Sequence, residues 1–127
     1  MKSGKSIRVL VVDDALYIRE LISLILRNEG YEVIKAENGA DCLQKLEHIT
    51  PDLVILDIMM PGMSGWDVAA RIKEHDSWRS IPIVFLTAKG DEMSVGMGSL
   101  ASEEYIVKPF EVGKLKESVE KILGKIP

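Results

Sequence analysis

Apolar and polar positions follow two rhythms along this chain, and the rhythms alternate. Five short runs are dense in aliphatic and aromatic residues: Ile7–Val12, Tyr31–Lys35, Leu53–Leu56, Ile83–Leu86 and Tyr105–Val107. Runs of this length, rich in branched side chains, predict strands. Between the first two, Ile18, Leu21, Ile22, Ile25 and Leu26 keep the i, i+3, i+4, i+7, i+8 spacing of an amphipathic helix, which Gly30 stops. Ala40, Leu43 and Leu46 predict a second helix, and Val68, Ala69 and Ile72 a third after Gly65. Val112, Leu115, Val119, Ile122 and Leu123 mark the last, with Gly124 at its end. Regular strand–helix alternation predicts an α/β fold with a parallel sheet covered on both faces.

One helix stands apart. The window between the fourth and fifth strands, 91–101, reads DEMSVGMGSLA and contains Gly96 and Gly98. Each interior glycine costs about 1 kcal/mol of helix stability relative to alanine, so a short or mobile helix is expected there. The strands also differ among themselves. The first, third and fourth runs are almost wholly apolar, as strands buried on both faces are. The second interleaves Glu32 and Lys35 with Val33 and Ile34, and the fifth is very short. Placing those two at the edges gives a doubly wound sheet of order 2-1-3-4-5, with its switch point between the first and third strands.

Composition narrows the class of protein. With 127 residues, the chain is expected to form one domain, residues 1–127, with no output domain attached. A 46% apolar, 28% charged composition fits a globular fold. Twenty acidic against sixteen basic residues leave −4, which offers no support for direct nucleic-acid binding. The single cysteine, Cys42, excludes an intramolecular disulfide and fits a reducing, cytoplasmic compartment. No apolar run approaches the ~20 residues that span a bilayer, so no membrane association is expected.

The candidate chemistry lies at the strand ends. Asp13 and Asp14 follow the first strand, Asp57 the third, Thr87 the fourth and Lys108 the fifth. In an open α/β sheet these ends share one edge, where ligands bind. Each residue alone has a plainer role: an aspartate there often caps a helix, and a lysine before Pro109 is often merely solvated. Together they are harder to explain structurally. Two carboxylates roughly 5 Å apart repel by about 3 kcal/mol at an effective dielectric near 20. Lys108 offsets one of three negative charges, and a divalent ion would offset the other two. A hard ion such as Mg²⁺ suits carboxylates with no Cys or His nearby. Such a site can accept a phosphoryl group, with a carboxylate as nucleophile and cations on the phosphoryl oxygens.

Other candidates are weaker. Gly96–Ala101 (GMGSLA) matches a dinucleotide-binding pattern but does not follow a strand. Cys42 is read as a small packing residue, Met59, Met60 and Met63 as structural, and His48 and His75 as surface residues. Asp52, beside Pro51, is read as a strand-entry turn residue.

At these positions the chain resembles the receiver domain of two-component response regulators. The resemblance rests on VLVVDD (9–14), PDLVILDIMMPGMSGWD (51–67), IPIVFLTA (81–88) and EYIVKPF (104–110), which span nearly the whole chain. It implies a flavodoxin-like (βα)5 fold and a switch rather than an enzyme acting on other substrates. Asp57 would be the phosphoacceptor, taking its phosphoryl group from the phosphohistidine of a sensor kinase or phosphotransfer protein. Asp14, Asp57 and the Met59 backbone carbonyl would ligate Mg²⁺, with Asp13 acting largely through water. Lys108 would contact the acyl phosphate, and Thr87 would bond a phosphoryl oxygen. Tyr105 would rotate inward, altering the face built by the 91–101 helix, the fifth strand and the last helix for a downstream effector or output domain. The Lys108–Pro109 bond would be cis.

The chain departs from the family in places. Ala101 and Ser102 stand where a Gly-Ala pair is common, which puts the usual 91–101 helix in doubt. Lys114 and Ser118 replace a Glu and an Arg that make dimer salt bridges in many DNA-binding members, so a monomer or weak phosphorylation-dependent dimer is expected. Met59 and Lys89 differ from the chemotaxis pattern. Two other readings stay open. A Mg²⁺-dependent phosphohydrolase would use an aspartyl-phosphate intermediate, though adjacent Asp13 and Asp14 are not the Asp-x-Asp of haloacid dehalogenases. A phosphorylation-independent interaction module would bind its partner unchanged after Asp57→Ala.

Overall fold

The structure, a computed structural model, describes residues 6–88 and 104–124. Its elements are β1 (Arg8–Val12), α1 (Leu16–Asn28), β2 (Glu32–Ala36), α2 (Gly39–Leu46), β3 (Leu53–Asp57), α3 (Gly65–Glu74), β4 (Ile83–Ala88), β5 (Glu104–Lys108) and α4 (Val112–Leu123). The helix predicted over 91–101 lies outside the described residues, as do Lys89 and the Gly96–Ala101 pattern.

All five apolar runs become strands of one parallel sheet, ordered β2-β1-β3-β4-β5. The mixed-polarity strand β2 holds one edge and β5 the other; β5 is not the short strand expected, because pairing with β4 extends it to five residues, as many as β1, β2 and β3, with Glu104 and Lys108 at its ends. Alternation along each strand divides the core in two. Val9, Val11, Leu53 and Ile55 face α1 and α4, where Ile22, Leu26, Leu115 and Val119 complete one cluster. Leu10, Val12, Val54 and Leu56 face α2 and α3, where Cys42, Val68 and Ile72 complete the other. Fully burying such a side chain contributes about 1.5–3 kcal/mol over leaving it exposed. A slip of one residue would exchange the two faces of a strand, so the register is firmly set. That register brings Val12 level with Ala36 on one side and Leu56 on the other.

The start of α3 is fixed against the end of β3. The Ser64 hydroxyl accepts from Asp67 N–H, and the Asp67 carboxylate accepts from Ser64 N–H, forming a reciprocal cap. Gly65 N–H donates to the Ile58 carbonyl at 2.8 Å. A Cβ on Gly65 would lie 2.7 Å from Ile58 Cα, so the approach requires glycine. Gly62, at φ 78°, makes the preceding turn in a conformation other residues rarely adopt.

The residues set aside in the sequence have structural places. Cys42 is buried, and that burial pushes its thiol up to about 12, as befits an inert packing residue. His48 and His75 are exposed, although the His75 ring stacks on Trp78 with centroids 3.7 Å apart. Met60 is buried and Met63 packs against the core. Met59 differs from the structural role expected of it: it is 64% exposed.

Candidate functional site

The carboxyl edge of the sheet collects polar side chains from β1, β3, β4 and β5. Asp57 and Lys108 are the last residues of β3 and β5, and Thr87 is the penultimate residue of β4. They were expected just beyond the strands. The apolar pattern stops at them, but the ladder continues, pairing Asp57 with Leu86, Thr87 with Val107 and Ala88 with Lys108. The backbone at these three residues is therefore sheet rather than loop. Only Asp13 and Asp14 follow their strand.

Asp13, Asp14 and Asp57 each offer a carboxylate oxygen within 4.8 Å of the others. Asp13 and Asp57 are buried, at 0% and 2% exposure, whereas Asp14 is exposed. Lys108 Nζ lies between the buried pair, 3.3 Å from Asp13 Oδ2 and 3.3 Å from Asp57 Oδ1. The peptide bond from Lys108 to Pro109 is cis.

The electrostatics follow from this crowding. Burial, then the charge of Asp13, pushes the Asp57 carboxyl up to about 6. Lys108 and the backbone N–H of Met59 oppose that rise without cancelling it. For Lys108, burial works against the charge, but the attraction of Asp57 and Asp13 outweighs it and holds the amine above its ordinary range. Three ionised carboxylates and one ammonium leave two negative charges, which a divalent cation would neutralise. The donor set is all oxygen, which suits Mg²⁺ with water completing its shell.

The two adjacent aspartates are held differently. Asp13 does not cap α1; Ala15 occupies the cap position without a side-chain bond. Instead, Asp13 Oδ1 accepts from Ala15 N–H at 2.9 Å, closing a tight turn. Arg19, a residue the sequence reading passed over, donates from Nη1 to the Asp13 carbonyl at 2.7 Å. The available signal was a polar pair at helical spacing, Arg19 and Ser23, beside the apolar stripe of α1.

Thr87 and Tyr105 lie on the neighbouring strands β4 and β5. Thr87 is buried, and its hydroxyl makes one long contact, 3.5 Å, to the Ala88 carbonyl. The Tyr105 ring is half-buried and stacks on Phe85 at 5.5 Å; Phe85 in turn meets Trp66 at 4.9 Å.

Comparison with known proteins identifies the family and agrees with the fold. Residues 9–120 match the model of the response regulator receiver domain. The chain is 40% identical over 120 residues to the DNA-binding response regulator MtrA of Mycobacterium tuberculosis, covering 94% of this chain and 50% of that protein. It thus spans about half the length of such relatives. A putative response regulator from Chloroflexus aurantiacus superposes with a TM-score of 0.89 at 36% identity, covering 95% of this chain and 100% of that one. Chemotaxis response regulator CheY4 of Vibrio cholerae gives 0.85 at 28% identity, covering 93% and 99%. Among the described residues, no helix is long and apolar enough to cross a membrane. With a doubly wound sheet, an acidic cluster at its switch point and a family match over most of its length, the chain belongs to the response regulator receiver domains of two-component systems.

Proposed function

We propose that this receiver is a phosphorylation switch in which Asp57 takes a phosphoryl group from the phosphohistidine of a partner kinase or phosphotransfer protein. The observation that carries this reading is the placement of Asp57. It is buried at the switch point, 3.3 Å from the Lys108 ammonium and clustered with Asp13 and Asp14. An Asp57 oxygen attacks phosphorus, the histidine N–P bond breaks, and an aspartyl phosphate forms while the imidazole leaves with the bond pair. Lys108 neutralises a phosphoryl oxygen, and the Thr87 hydroxyl turns from the Ala88 carbonyl to donate to another.

Asp13, Asp14, Asp57 and the Met59 carbonyl are the groups that would hold Mg²⁺, which supplies charge neutralisation at the phosphoryl group. The crowding of carboxylates around one lysine supports that need. The new contacts made by Thr87 and Lys108 are what favour the active state, since a ligand shifts an equilibrium only by its differential interaction. Tyr105, stacked at the edge of the aromatic row, is placed to carry the change to the outer face of β5 and α4. There a protein effector, or an output domain such as the additional length of the relatives provides, reads the state. The site of action we infer is the cytoplasm, in keeping with one reduced, buried cysteine.

The test is direct. Incubation with a small acyl phosphate and Mg²⁺ should add one phosphate, labile to hydroxylamine and detectable by intact-mass spectrometry. Asp57→Asn should abolish it. Labelling of Asp57→Asn at the parent level would refute the assignment.

A further inference from the structure

The adjacent aspartates of the acidic cluster differ in what holds them. Every polar atom of Asp13 is engaged: N–H donates to Ala36 O at 3.2 Å, and the carbonyl accepts from Arg19 at 2.7 Å. Its Oδ1 accepts from Ala15 N–H at 2.9 Å, and Oδ2 meets Lys108 at 3.3 Å. Asp14 is exposed and, among the described residues, makes no hydrogen bond or ion pair. Its direction must come through the backbone.

The peptide joining Asp13 to Asp14 is planar, so whatever fixes the Asp13 carbonyl also fixes the plane from which Asp14 departs. The sheet cannot fix it. β2 ends at Ala36, which has already accepted from Asp13 N–H, and the β1–β3 pairing ends at Val12. The donor comes instead from one turn into α1. Arg19 N–H closes the first turn onto the Ala15 carbonyl at 3.0 Å, and the Arg19 carbonyl accepts from the Ser23 hydroxyl at 2.7 Å. Ser23 is itself fully buried. Arg19 is thus a half-buried residue on an anchored backbone, its guanidinium making a short, charge-assisted bond to the hinge of the acidic pair.

We infer that Arg19 is a positioning residue for divalent-cation binding: through the Asp13 carbonyl it sets the peptide plane that aims Asp14 at a cation shared with Asp13 and Asp57. This rests on reading the acidic cluster as a cation site. A purely electrostatic role would act with the opposite sign. A positive charge beside the site repels a cation, so its removal would tighten binding, whereas loss of positioning weakens it. Groups that hold metal ligands in place are typically worth about 10–100-fold in metal affinity.

The experiment is an equilibrium titration with Mn²⁺, a hard oxygen-seeking stand-in for Mg²⁺, read by the electron paramagnetic resonance signal of the free ion. Arg19→Met should bind about tenfold more weakly than the parent, and Arg19→Lys, which keeps a charged donor, should recover most of the loss. The rate of Asp57 labelling should fall in Arg19→Met at low Mg²⁺ and return to the parent rate at saturation. A merely destabilised protein would not show that split. Circular dichroism checks the fold; if Arg19→Met is unfolded, Arg19→Gln serves with the same expected direction. Unchanged or tighter Mn²⁺ binding in the neutral variant overturns the role of Arg19 alone. Failure of the parent to bind Mn²⁺ removes the cation site, and the inference with it.

Discussion

The two ends of β3 each carry an aspartate, and they live in opposite circumstances. At the entry, Asp52 Oδ2 accepts from Arg8 N–H at 2.9 Å while Asp52 N–H donates to the Arg8 carbonyl at 2.8 Å. The carboxylate is half-buried, within reach of water, and closes the start of the β1–β3 pairing. At the exit, Asp57 is buried against a second carboxylate, and its ionisation is held back to about 6. The residue type and strand are the same; the surroundings differ. One carboxylate is bonded within the β1–β3 edge, and the other is buried beside a like charge. A titratable group displaced in this way, at the carboxyl edge of the sheet, is a candidate for function.

The largest effect that could break this contrast comes from Lys108. It is the ammonium joining Asp13 and Asp57, with its side chain only 22% exposed. Removing one partner of a buried ion pair costs about 3–5 kcal/mol, because the remaining charges are left uncompensated. Lys108→Met should lose close to the lower figure, about 3 kcal/mol, by urea unfolding in metal-free buffer. Added Mg²⁺ should restore part of it. A loss no larger than that of an exposed-site variant would mean the two ends of β3 are alike.

Asp57 itself gives a somewhat smaller effect of opposite sign. The unfolded chain releases this proton near 3.8, and the native state holds it to about 6. Between those values the native state binds more protons, so its stability falls as pH rises. With each unit worth about 1.4 kcal/mol, and some loss of contacts to Lys108 and Met59, Asp57→Asn should gain about 2 kcal/mol at neutral pH without metal. The difference between parent and variant should grow from pH 4 to pH 6 and then level off. Urea midpoints measured across that range would show it; a constant difference would place the strain elsewhere.

How much of this was legible beforehand depended on range. The strand order followed from β2 carrying Glu32 and Lys35, since burial on both faces leaves a compositional trace; the brevity of the fifth apolar run pointed to the right edge, although β5 itself is as long as β1, β2 and β3. The convergence of Asp13, Asp14, Asp57 and Lys108 followed from topology alone. Strand ends did not, because Asp57, Thr87 and Lys108 remain in the ladder after the apolar pattern has stopped. Backbone hydrogen bonding does not depend on side-chain polarity. Arg19 was hidden for a related reason: its partner is a carbonyl, which every residue carries, so no spacing of residue types announces it. Nor did the sequence reveal that Gly65 lets α3 begin against the end of β3, a contact between two backbones.

The smallest effect belongs to the other end of β3. Asp52→Ala removes the acceptor of Arg8 N–H, but this bond is exposed and water can replace it. A typical intramolecular hydrogen bond contributes about 0.5–1.5 kcal/mol net, and an exposed one falls at the low end. The expected loss is therefore about 0.5 kcal/mol, and Asp52→Asn, which keeps a carbonyl oxygen, should lose less still. Labelling of Asp57 by acyl phosphate should be unchanged in both, because Leu53, Val54, Ile55 and Leu56 between the two aspartates are fully buried and paired with β1, and the last three are paired with β4 as well. A change at the entry has no soft element through which to reach the exit. If Asp52→Ala did alter the labelling rate while leaving the urea midpoint near that of the parent, β3 would be transmitting between its ends, and the division between a structural and a working edge would fail.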